Sequence, residues 1–112
     1  MRTLLLLLIL CAGHAWAAQE PQVVRGLIDV SDWNFAMDGA IELEGDWEFF
    51  WQQQLSTQDF FSLAEQDVSY INVPQSWNGH ITGNLLLSGD GFATYRTNVL
   101  IGAVRPLALK LP

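Results

Sequence analysis

The sequence predicts an all-β domain with one short helix, and three observations carry that prediction. Residues 41–51, IELEGDWEFFW, place an apolar residue or glycine at every odd position: Ile41, Leu43, Gly45, Trp47, Phe49 and Trp51. Glu42, Glu44, Asp46 and Glu48 fill the even positions, and only Phe50 breaks the alternation. A period of two marks a strand with one dry and one wet face, because successive side chains point to opposite sides. Residues 68–73 (VSYINV) and 92–101 (FATYRTNVLI) are rich in β-branched and aromatic side chains, which suit a pleated surface. Pro74 and the glycines and asparagines of residues 75–91 punctuate the chain between them.

In chain order, Met1 and Arg2 precede a run that is almost all leucine from Thr3 to Leu10, and Ala15-Trp16-Ala17 fits a small-x-small cleavage site. The pattern is that of a secretory signal over residues 1–17, and its apolar run is far shorter than the roughly 20 residues a membrane span needs. Residues 18–25 read as a linker. A short first strand is expected within 26–32, and Met37-Asp38-Gly39 as a turn into the central strand. Ser56, with Asp59 three residues on, reads as the start of a helix near 57–64 whose apolar side is Phe60, Phe61 and Ala64. Residues 75–91 read as a long loop with room for a hairpin, and a loop of that length in a small domain is usually functional. Leu107, Leu109 and Leu111 alternate as in a last strand without a partner, so the chain is expected to be the front of a longer one.

Once the leader is removed, Arg25, Arg96, Arg105 and Lys110 stand against twelve acidic residues, a formal charge of −8. That sign repels phosphate backbones, so nucleic-acid partners are excluded. The single cysteine, Cys11, lies in the leader, leaving the mature chain without an intrachain disulfide or thiolate metal site. His80 is the only histidine beyond the leader, too few for a multi-histidine metal centre. The carboxylates at 42, 44, 46 and 48 read as a solvated row, whereas a general acid needs a desolvated site. No catalysis, metal or cofactor is therefore expected. Asp29, Asp32 and Asp38 lack the regular spacing of a calcium loop, and Ser88-Gly89-Asp90-Gly91 reads as a turn, since no helix follows to complete a phosphate cradle.

The aromatic residues remain. Trp47 and Trp51 fall on the dry face and read as core. Trp77, at the mouth of the long loop, reads as core or as a platform for a ligand. Asn78, His80 and Asn84 in the same loop are the polar candidates beside it, although a histidine in a Gly/Asn loop reads first as an exposed one without a role. Arg96 next to Tyr95 reads as a structural clamp to an acidic partner.

These motifs together, IDVSDW at 28–33, EGDWEFFW at 44–51, Asp59-Phe60, VPQSWN at 73–78 and GFATYR at 91–96, resemble the N-terminal extracellular domain of bacterial seven-transmembrane receptors with diverse intracellular signalling modules. The resemblance implies a galactose-binding-like jelly roll over residues 26–112, an extracytoplasmic place, and a carbohydrate or other small molecule as ligand. It also implies transmembrane and intracellular signalling modules downstream. A VP-x-SW and YR arrangement like that at 73–77 and 95–96 also occurs in the non-catalytic jelly roll of β-galactosidase-like hydrolases. In both families these motifs would be mostly scaffold and would not locate a ligand site; Trp47, Trp51, Tyr95 and Arg96 are accordingly expected to be structural.

Overall fold

The computed structural model describes residues 19–103 and 106–111. The expected leader therefore lies outside the described residues. Of the residues described, 31% are in strands and 12% in helices, so the fold is β-rich as expected. The order is β1 (Leu27–Asp29), α1 (Phe35–Asp38), β2 (Gly45–Trp51), two 3-10 turns (Asp59–Ser62 and Glu65–Asp67), β3 (Ser69–Val73), β4 (Ile81–Thr82), β5 (Leu85–Leu86), β6 (Ala93–Arg96) and β7 (Asn98–Leu100).

β2 is the middle strand of an antiparallel sheet ordered β3-β2-β6. Phe49 stands opposite Ser69 on one side and Tyr95 on the other, and Glu48 stands between Tyr70 and Arg96. One face carries Trp47, Phe49, Trp51, Ile71 and Tyr95. Phe49 and Ile71 are buried there with Leu87, while Val23, Ile28 and Val30 form a second buried group against Trp33, Leu43 and Trp47. The expected strand is shorter than its alternation, because residues 41–44 run without a ladder partner.

The opposite face corrects the solvated-row expectation. Glu48 is only 7% exposed and Phe50 1%. Phe60, held by the 3-10 turn Asp59–Ser62, packs its ring 5.5 Å from that of Phe50. Phe50, the residue that broke the alternation, is thus the anchor of a second covered surface. Glu42, Glu44 and Asp46 are exposed as expected.

Other elements differ from expectation for local reasons. Residues 35–38 form one helical turn, not an open turn: the Asn34 side chain accepts from the N–H groups of Ala36 (3.1 Å) and Met37 (3.2 Å), and Asp38 accepts from the Asn34 N–H. The helix near 57–64 is reduced to the 3-10 turn. Asp59 accepts from the Ser56 N–H (2.6 Å) and hydroxyl (2.9 Å), but Phe60 alone finds an apolar seat and Phe61 is 87% exposed. The expected linker is packed: Val23 is buried, and its carbonyl crosses Gly45 so closely that any Cβ there would overlap it. Gly45, at φ +131°, is the residue that permits this crossing.

The expected strand over residues 92–101 is two. β6 pairs with β2, and after Thr97 the chain passes to β1, with which β7 runs parallel. The Asn98 N–H binds the Gly26 carbonyl at 2.7 Å and begins that second ladder. Residues 107–111 form no strand. Leu109 and Leu111 are more than 70% exposed, because alternation without a neighbouring edge leaves the backbone groups nothing to pair with.

Candidate ligand-binding site

The loop after β3 folds back over the Phe49 face and builds an aromatic cluster there. It begins at the cis Val73–Pro74 bond. His80 and Leu87 exchange backbone contacts through Leu87 N–H to His80 O (2.9 Å), and Gly79 N–H reaches Leu87 O at the same distance. These bonds close the base of the β4–β5 hairpin, the expected short hairpin of residues 75–91, and drive Leu87 into the core.

Phe49 is the hub of the cluster. Trp51 stacks beside it with ring centroids 6.3 Å apart, and Tyr95 and His80 meet it edge-on at 5.2 and 5.7 Å. Trp77 meets Trp51 edge-on at 5.5 Å and lies nearly parallel to Tyr95 at 6.5 Å. Offset and edge-on contacts satisfy the ring quadrupoles, so the cluster is a rigid floor beneath the loop. Burial pushes the Tyr95 phenol up from its ordinary value.

The four tryptophans of the described chain differ in their polar ends. The Trp33 N–H binds Gly39 O and the Trp47 N–H binds Leu43 O, each at 2.9 Å. Trp51 and Trp77 make no such bond among the described residues, and both are half-buried. His80 is half-buried as well, not the exposed loop histidine expected, and its Nε2 is buried without a hydrogen-bond partner.

Beside Trp51 opens a cleft of about 300 Å³. Its lining joins Trp51 and the buried Leu87 to exposed Leu85 and Leu86 and to the polar Gln52, Ser88 and Asp90. The sequence candidates take other places. Trp77 backs the Trp51 ring, His80 lies against Phe49, and Asn78 and Asn84 are exposed in turns of the loop. None of the four lines this cleft. Gln52 is not singled out by the sequence and Ser88 and Asp90 read only as part of a turn, because all three flank elements whose approach depends on the tertiary fold. A larger open space lies against Gln19–Gln22 and carries no aromatic lining.

On the opposite sheet face, Arg96 fulfils the clamp expectation and identifies its partner. Its Nε and a terminal nitrogen donate to the two oxygens of Glu48, the latter at 3.1 Å. The guanidinium lies 4.1 Å from the Phe60 ring centroid, a cation–π arrangement. Glu48 holds the Arg96 guanidinium still further above its ordinary value. Arg25 sits over Tyr70 at 5.0 Å on the same face. This pair ties β6 to β2, and no reacting group lies beside it among the described residues. The aspartates at 29 and 38 are engaged in local turns with Ser31 and Asn34. No cluster of metal-ligating side chains occurs among the described residues, and no helix among them is long and apolar enough to cross a membrane.

Compared with protein-family models, curated proteins and solved structures, the chain matches none of them.

Proposed function

We propose that this chain is the extracytoplasmic ligand-sensing part of a membrane signalling receptor, with a jelly-roll β-sandwich built on the β3-β2-β6 sheet. The observation that carries the reading is the aromatic floor of Trp51, Trp77 and Tyr95 built over buried Phe49, beside a hairpin loop, with two indole N–H groups that have no partner among the described residues. Small-molecule sites are concave, mostly apolar and supplied with a few polar groups, and the loop provides both kinds. The motif resemblance adds the signalling context: a small molecule, carbohydrate included, would order the loop and bias helices that follow in the full-length protein. The chain acts as a binding module and performs no catalysis.

Two measurements test this. Reading the coding sequence past Pro112 should reveal seven apolar spans of about 20 residues each; a long soluble barrel would instead favour the accessory domain of a glycoside hydrolase. Trp77→Ala in the full-length protein should blunt signalling, and a broad small-molecule panel, sugars included, should move tryptophan fluorescence. A silent panel with unchanged Trp77→Ala signalling would discard the sensor reading.

A further inference from the structure

We infer that the ligand seat is the cleft between Trp51 and the β4–β5 hairpin, and that it takes a small organic cation with an apolar body. The inference rests on the sensing reading above and gives it a location and a ligand chemistry. Four observations point there.

The first is apolar lining that faces solvent. Leu85 and Leu86, 52% and 66% exposed, lie beside the half-buried Trp51 ring, so an occupant with an apolar body removes all three from water. The second is charge. Asp90 is the one ionisable side chain of the lining, and no arginine or lysine joins it. Arg96 is engaged by Glu48 and Arg25 lies over Tyr70, both on the opposite sheet face. The chain carries a formal charge of −7 overall. A cleft of one sign in a protein of the same sign concentrates cations and rejects anions.

The third is the ring itself. Tryptophan is the best aromatic partner for an ammonium group, and Trp51 lines the cleft together with Asp90. The fourth is backbone strain. Gln52, which follows Trp51 and lines the cleft, holds φ at +53°, a left-handed conformation uncommon for a residue with a side chain. Its N–H is fixed to Phe92 O at 2.8 Å, which keeps the turn in place. Strain held in this way is found at ligand clamps. At about 300 Å³ the cleft is at the small end of ligand sites.

The test titrates the chain, kept monodisperse by Leu109→Lys and Leu111→Lys, with 2-phenylethylammonium chloride, with lactose and with phenylacetate, following tryptophan fluorescence and backbone amide shifts. The ammonium should saturate, shift the Trp51, Leu86 and Asp90 amides, and weaken with added salt; phenylacetate should not bind. Asp90→Asn, on an exposed side chain, should keep the fold and weaken the ammonium roughly fivefold, the scale of a solvent-facing ion pair. Trp51→Phe, which keeps a ring against Phe49 and Trp77, should weaken it further. Saturation by lactose instead would overturn the cationic class and leave the sensing reading standing. Ammonium binding that ignores Asp90→Asn and shifts the Asn78 and Asn84 amides would overturn the location. Silence from all three probes would overturn this inference, while the sensing reading falls only with the broader panel and the Trp77→Ala result.

Discussion

Glu48 stands between Tyr70 and Arg96 with its carboxylate bound by two guanidinium nitrogens, and the Phe60 ring closes over the pair. Removing one partner of a buried pair costs roughly 3–5 kcal/mol because the other is left uncompensated, and the 29% exposure of Arg96 lowers this toward about 2. Glu48→Ala should therefore destabilise by about that amount in urea unfolding, whereas Glu44→Ala should leave the midpoint where it is. Equal effects would return Glu48 to the solvated row. Asp59 provides a pH signature. Its hydrogen bonds from Ser56 hold its carboxyl below the ordinary 3.8. A lowered folded-state value means the contribution is present above 3.8 and lost as pH falls through the folded value. Asp59→Asn should thus lower the melting temperature at neutral pH and converge with the unaltered protein in strong acid. Glu44 has the opposite sign: a side-chain hydrogen bond with Glu42, and then the charge of Glu42, raise its value, so the fold favours its protonated form.

At the scale of elements, β2 is a strand covered on both faces, and that decides which aromatic matters most. Phe49 and Phe50 are almost fully buried, one toward the hairpin and one toward the 3-10 turn, whereas Trp47 and Trp51 are half-buried. Phe→Ala at a site of this kind costs about 3–5 kcal/mol. Phe50→Ala should cost as much as Phe49→Ala, even though the alternation of residues 41–51 puts Phe50 among the carboxylates. Urea unfolding of the two variants decides it: if Phe50→Ala were nearly neutral, the second covered face would not exist. The hairpin is a weaker element, with two residues in each strand and Ile81, Leu85 and Leu86 exposed. Its order depends on Leu87, its one buried side chain, so Leu87→Ala should loosen the loop, seen as faster amide exchange at Gly79 and Leu87, before it unfolds the sheet.

For the molecule as a whole, the apolar surface is concentrated late in the chain. Val99, Leu100, Ile101, Leu107, Leu109 and Leu111 are each between 44% and 74% exposed. Open edges and contiguous apolar stretches are aggregation sites. The 112-residue chain should self-associate at micromolar concentration, and Leu109→Lys with Leu111→Lys should return a smaller, monodisperse species by light scattering. If the unaltered chain were monodisperse with a cooperative melt, these leucines would have cover that their exposure denies.

Alternation by itself determined that residues 45–51 are extended and which rings share the Phe49 side, and turn chemistry located β3, the long loop and its hairpin. These follow because a pleated backbone fixes side-chain direction residue by residue, with no reference to distant neighbours. Tertiary structure alone decided that Glu48 is buried, that the segment after Phe92 serves two ladders, and that Gln52, Ser88 and Asp90 share a cleft with Trp51. Each of these depends on which segment lies opposite, set by Phe60, β1 and the β4–β5 hairpin, and pairing between segments tens of residues apart leaves no mark in the local pattern of either one.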